Sequence, residues 1–256
     1  SQRHIKLENI MLKDMKLVPV TMDQEDVAFI FRQRDLTSAP VVNSHGQLIG
    51  VITIDDIVDV IHEEHEEDIM RLAGVGEEDD LYDAVVKTTM SRFSWLFLHL
   101  VCAMTAAYVI SLFQVQIEQL VVLAVLMPVV ATMGGAASVQ ALTVSVRGIA
   151  MKEVNPSNTI RTIGKEAMVG LLNGLIFALM ISIISWFWFG SVALGIVIAM
   201  AIMINLFVAG LSGSALPILL QKMGYDPAVA SSAFLTSITD IVGFYVFLGL
   251  GAIVLL

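Results

Sequence analysis

Polar and apolar positions divide this chain into two stretches of different grain. Through residue 62 they alternate over short distances. KLVPVTM reads as a strand, QEDVAFIFRQRD as an amphipathic helix, SAPVVN and QLIGVIT as strands around the turn SHG, and DDIVDVIHE as a helix. From residue 93 the grain changes to long apolar runs at about 93–113, 119–147, 164–189, 192–220 and 228–256. Each meets the roughly 20 residues that a helix needs to cross a bilayer. The breaks between them are QVQIEQ, KEVNPSNTIRT, FWFGS and QKMGYDP. The expected fold class is a membrane all-α protein: five transmembrane helices preceded by a small α/β domain and an acidic connecting helix. The α/β stretch is too short for a TIM barrel or a Rossmann domain.

Composition sharpens this division. Apolar residues make up 57% of the 256 and charged residues 15%, against roughly 45–50% apolar in ordinary soluble domains. The charge is polarised: residues 1–91 hold 19 Asp and Glu against 8 Lys and Arg, net −11, while residues 92–256 come to net +1. An acidic aqueous portion repels nucleic acid and anionic lipid and attracts cations, so the expected partners are cations and the lipid bilayer, with no nucleic acid. Cys102, the single cysteine, lies in an apolar run and forms no internal disulfide. The first residues lack a charged segment followed by an apolar core, so no cleaved signal peptide is expected, and the missing initial Met reads as a fragment.

The basic residues orient the spans. Lys87 and Arg92 precede the first, Arg147, Lys152, Arg161 and Lys165 lie between the second and third, and Lys222 lies between the fourth and fifth. The positive-inside rule then places the N-terminus in the cytoplasm and the C-terminus outside, as a multi-pass protein of the cell (inner) membrane. Pro128 followed by TMGGAAS, the pair Gly170 and Gly174, and Pro217 after SGSA read individually as close helix packing.

Asp240 breaks the apolar run of the fifth span. It lies twelve residues into that span, roughly 18 Å along a helix and near the middle of a hydrocarbon core roughly 30 Å thick. A charge there costs about 2.5–3.5 kcal/mol on insertion scales and needs a partner, water or a cation. No Lys or Arg within a span is available. Steps of three and four residues from Asp240 reach Ser232, Thr236 and Gly243, while the second span carries a similar row of Thr132, Ala136, Gln140 and Thr143. Two such stripes can line one water-filled pathway with Asp240 as its cation site. The competing reading is a protonated carboxyl hydrogen-bonded to hydroxyls in a packed bundle. Intramembrane catalysis is disfavoured, because the spans hold no nucleophile with its base and no metal-ligand motif, so the chain is not expected to be an enzyme.

The stretch APVVNSHGQLIGVITIDDIVDVI resembles a CBS domain, a module that works in pairs and in many families binds adenine nucleotides, ATP among them. The family's G-x-x-T-x-x-D nucleotide element falls on Gly50, Thr53 and Asp56. The continuation TIDDIVDVIHEEHEEDIMRLAGV, with MPVVATMGGAASVQALTVSVRG and DPAVASSAFLTSITDIVGF beyond it, looks like the MgtE family of magnesium channels. The resemblance implies an N-terminal remnant at 1–6, a second CBS module at 7–62, an acidic connecting helix at 63–91 and a five-helix pore domain at 92–256. It also implies a homodimer with its pore on the two-fold axis. There Asp240 of both subunits holds hydrated Mg²⁺, and Ser232, Thr236 and Gly243 fall on positions that contribute oxygens. Two positions depart from the family pattern, Ala136 where Asn is usual and Ala233 where Pro is usual, which leaves other divalent ions open.

The run DVIHEEHEEDI crowds like charges on one helix, with Asp56, Asp59, Glu63 and Glu67 along a face and Glu64 and Asp68 beside it. Divalent cations would relieve that crowding across a dimer interface, which makes Asp56, Asp59, Glu64, Glu67 and Asp68 the expected regulatory Mg²⁺ residues. His62 and His65 lack the HExxH spacing of zinc proteases and read as solvated. The expected function is a magnesium channel or transporter gated by cytoplasmic Mg²⁺. The alternatives are a proton-coupled divalent-cation carrier and a membrane-tethered nucleotide sensor.

Overall fold

The computed structural model describes residues 15–76, 79–229 and 232–256. The expected remnant 1–6, residues 7–14 of the CBS module, Glu77 and Glu78 of the connecting stretch, and Ala230 and Ser231 in the last expected span lie outside the described residues. Two compact units meet between Asp68 and Ile69.

The first unit is the small α/β domain. Its elements are β1 (Val18–Pro19), α1 (Gln24–Arg34), β2 (Ser38–Val42), β3 (Leu48–Thr53) and α2 (Ile54–Leu72), the last four residues of which fall in the second unit. The sheet order is β1-β2-β3, with β1 parallel to β2 and β3 antiparallel to it. The expected turn SHG closes the β2–β3 hairpin on Gly46, whose φ of 73° few other residues tolerate. Asn43 Oδ1 accepts the backbone N–H groups of His45 and Gln47, both at 3.0 Å. Val18, Val27, Ala28, Phe31, Ala39 and Ile57 form the core of this unit. Leu48, Ile49 and Val51 of β3 stay exposed.

The acidic connecting helix expected at 63–91 is instead divided between two helices, with the described residues 73–76 and 79–84 outside either. α2 ends at Leu72, and the next helix, α3 (Val85–Ser111), begins thirteen residues later. The cause is local. Gly74 takes a left-handed φ of 71°, its N–H bonds to the Arg71 carbonyl and the Val75 N–H bonds to the Met70 carbonyl, which is the six-to-one closure that ends a helix.

The second unit adds α4 (Gln114–Gln119), α5 (Val122–Ala150), α6 (Thr159–Phe189), α7 (Val192–Lys222), a 3₁₀ turn at Pro227–Val229 and α8 (Ser232–Val254). Of these, α3, α5, α6, α7 and α8 are long and apolar enough to cross a membrane. Pro128 and Pro217 lie inside α5 and α7 without ending either helix. α7 packs along α5, α6 and α8, while α3 packs against α8. The main core joins α5, α7 and α8 through Leu123, Val130, Val197, Ile198, Leu206 and Phe247.

Glycines set how closely α6 and α7 approach. A Cβ on Gly170 would run into the Leu206 carbonyl, one on Gly210 into the Glu166 carbonyl, and one on Gly174 would lie 3.0 Å from Met203 Cα. Because backbone atoms cannot swing aside, Gly170→Val and Gly210→Val should each destabilise the membrane unit by about 1–3 kcal/mol, the usual penalty of overpacking. Gly164→Ala, where a Cβ meets nothing within 4 Å, should be neutral. Thermal unfolding of the three variants in detergent is the measurement.

Candidate functional site

The two polar stripes meet. An open groove of 540 Å³ runs between α5 and α8, lined by Ala131, Thr132, Gly135, Ala136 and Val139 from one helix and by Thr236 and Asp240 from the other. Asp240 is half-buried and is the only charged residue among those lining it. The helices come close beside it, since a Cβ on Gly135 would lie 3.1 Å from Thr236 Cγ2. The Thr236 hydroxyl donates to the Ala233 carbonyl at 3.0 Å, so it faces other groups as an acceptor.

The other expected pore residues lie around this groove. Ser232 is half-buried and does not line it, and Gln140 and Thr143 are exposed farther along α5. Gly243 is buried on the far side, where a Cβ would meet Asn205 Nδ2 at 2.7 Å and Val130 Cγ1 at 3.0 Å. Two residues escaped the sequence reading. His99 lies on α3, the helix that packs against α8 and so against the element carrying Asp240. Asn205 of α7 is 1% exposed and donates from Nδ2 to the Val130 carbonyl at 2.9 Å. A search for charge inside spans passes over a neutral amide, whereas a search for any strongly polar side chain in mid-span finds it.

In the first unit, the acidic residues of α2 take different roles. Thr53 and Asp56 form a capping pair at the start of α2: Asp56 Oδ2 accepts the Thr53 N–H at 2.8 Å and its hydroxyl at 2.7 Å. These bonds, the hydroxyl first, hold the Asp56 carboxyl below its ordinary range. Gly50 sits on β3 with open space where its Cβ would be. Glu64 accepts a 2.5 Å hydrogen bond from Gln24 Nε2. Glu25 is exposed at the surface, yet partial desolvation by the acidic groups crowded around it pushes its carboxyl up to about 7, helped by its hydrogen bond with Glu64 and by the charges of Glu64, Asp23 and Asp68. Glu25 and Asp23 precede α2 by some thirty residues, so helix periodicity gave no sign of them. Asp59 is exposed on α2 and Glu67 is half-buried. Among the described residues no three His, Cys, Asp or Glu side chains converge to hold a metal ion, so a divalent cation here would need acidic groups from a second chain or from a segment beyond these residues.

The raised pKa of Glu25 has a definite sign. Between its ordinary carboxylate range and about 7 the folded state holds a proton that the unfolded state releases. Stability of this unit therefore falls as pH rises through that window and is flat below it. Hydrogen exchange in α1, corrected for intrinsic rates, should be faster at about pH 8 than at about pH 6, and Glu25→Gln should remove most of that difference.

Residues 127–250 match the family model described as MgtE, divalent cation transporter, and residues 7–63 match the CBS domain. The chain is similar to proteins named magnesium transporter MgtE from three bacteria. Identity is 37% with that of Enterococcus faecalis, over 92% of this chain and 52% of the relative. It is 31% with that of Bacillus subtilis, over 96% and 54%, and 30% with that of Thermus thermophilus, over 98% and 56%. The chain thus spans about half the length of the curated relatives it matches. The matched family is one of transporters, not of enzymes.

Proposed function

We propose that this chain, which carries a membrane domain of the MgtE divalent cation transporter family behind a CBS domain, conducts Mg²⁺ through a pore built on Asp240. The observation that carries the reading is the α5–α8 groove, in which a mid-span carboxylate and threonine side chains lie together on an otherwise apolar surface. Mg²⁺ sheds its water reluctantly and keeps most of its shell, so a wide groove with one anionic group and acceptor oxygens suits it better than a closed protein cage. Two copies facing each other across a two-fold axis would present two carboxylates to one hydrated ion, with Thr236, Ser232 and the backbone at Gly243 nearby. The positive-inside pattern supports a cytoplasmic CBS side in the cell membrane.

Gating by cytoplasmic Mg²⁺ is the second part of the proposal. Like charges at Asp59, Glu64, Glu67 and Asp68 repel across an interface and are drawn together by divalent cations, which shifts the equilibrium only if the bridged sites exist in the closed form alone. Asp56 contributes charge to the same face while serving as a helix cap. An adenine nucleotide reaching Gly50, Thr53 and Asp56 would compete with that cap. A second reading, a proton-coupled carrier, would use the mid-span Asp240 carboxyl in the groove as its proton relay.

Uptake of divalent ions into liposomes separates these readings. Asp240→Asn should insert and assemble normally yet lose at least about tenfold in uptake, since a unit charge near a divalent ion is worth several kcal/mol at an effective dielectric of about 20. Asp240→Glu should retain part of the flux with altered ion preference. Undiminished uptake by Asp240→Asn would remove the pore assignment, and uptake that requires a pH gradient would favour the carrier. Neutralising Asp59, Glu64, Glu67 and Asp68 together should keep uptake high at millimolar Mg²⁺, where the parent closes.

A further inference from the structure

We propose that Asn205 is a positioning residue of the pore, a neutral amide strap on α7 that fixes the spacing of the two groove-forming helices from behind. This inference rests on the transport reading above for its functional consequence, and on geometry for the rest. Asn205 stands thirteen residues after the first residue of α7, roughly 20 Å along a helix and therefore near mid-membrane. Its amide is wedged between the backbones of two neighbouring helices, α5 and α8. A Cβ on Gly134 of α5 would run into it, a Cβ on Gly243 of α8 would meet its Nδ2 at 2.7 Å, and that Nδ2 donates to the Val130 carbonyl of α5 at 2.9 Å.

The same glycines connect this amide to the groove. Gly134 precedes Gly135, which lines the groove together with Thr236 and where an added Cβ would lie 3.1 Å from Thr236 Cγ2, and Gly243 follows Asp240 by one helical step of three residues. A shift of the amide is thus transmitted to both walls, because neither glycine carries a side chain to absorb it. Asn205 Oδ1 is buried without a hydrogen-bond partner. An apolar residue of the same volume would fill this space without desolvating a polar atom, so packing alone does not account for an amide here. What the amide adds is a directional link to the Val130 carbonyl, one turn ahead of Gly134.

The test uses the full chain in liposomes with Asn205→Leu and Asn205→Asp. Asn205→Leu fills the space without the link; at equal folded protein, its Mg²⁺ to Ca²⁺ uptake ratio should fall about threefold, the size expected from one interhelical side-chain hydrogen bond. A purely structural role would lower both uptakes together and leave the ratio alone. Asn205→Asp can donate to Val130 only when protonated, so its ratio should recover toward the parent's as pH falls from about 8 to about 5.5. This unit also contains the ionisable side chains of Asp240, His99 and Glu166, and the parent's own pH profile is therefore the reference. Hydrogen exchange supplies a readout independent of transport: both variants should speed exchange at Val130–Gly135 and Thr236–Gly243 and leave α6 unchanged. An unchanged ratio together with unchanged exchange in these segments overturns the inference. A parent without divalent uptake, with local exchange altered as expected, would leave the strap in place and overturn the transport reading instead.

Discussion

Hydrocarbon offers no hydrogen-bond partners, and the architecture of the membrane unit follows from that single constraint. Apolar side chains gain little by moving from lipid to a helix interface, so helices must be held by close backbone approach and by the few polar contacts available. The α6–α7 pair shows the first device in Gly170, Gly174 and Gly210, each nearly touching the opposite backbone. Ser182 shows the second, donating its hydroxyl to the Gly195 carbonyl across the same pair at 2.8 Å. Once α7 is fixed to α6, its other faces present Asn205 and the core leucines to α5 and α8, and the groove becomes the remaining exposed side of those two helices.

Much of this organisation was legible in sequence because bilayers impose a length rule. The five apolar runs correspond to α3, α5, α6, α7 and α8, with ends displaced by at most about eight residues, the usual fraying of boundaries widened where polar residues join a helix. The first span moved most. Residues 85–92 contain Lys87 and Arg92, which hydropathy excludes, yet Asp83 and Asp79 pair with them and let the helix begin early. The connecting helix was misjudged for the opposite reason: charge pattern carried more weight than Gly74, whose backbone freedom ends the helix.

Within the candidate site, helical periodicity located what lies on one helix and missed what depends on which helices meet. Thr132, Ala136, Thr236 and Asp240 were placed together by spacing alone, and they share the groove. Gly243 lies roughly 60° around the helix from Asp240, which the three-residue step tolerates but which turns it toward α7. Asn205, His99 and Glu25 acquire significance only through neighbours distant in sequence. No periodic pattern could bring Glu25 to Glu64, 39 residues away, although the result is a carboxyl raised to about 7.

The hydroxyls near the groove illustrate how a helix makes a polar surface suited to cations. A serine or threonine in a helix can donate to the carbonyl three or four residues back, and Thr236, Ser237 and Thr239 all do so. Donation uses the only proton, and what the hydroxyl shows to its surroundings is lone pairs. For Ser237 and Thr239, both buried, this satisfies a polar group that would otherwise destabilise the bundle. For Thr236, which faces the groove, it converts an amphoteric group into an acceptor. An acceptor beside a carboxylate favours the outward-pointing hydrogens of a cation's water shell and disfavours anions, which need donors. Residue types that look neutral in composition thereby reinforce the sign of Asp240, and a single formal charge suffices to give the groove its polarity.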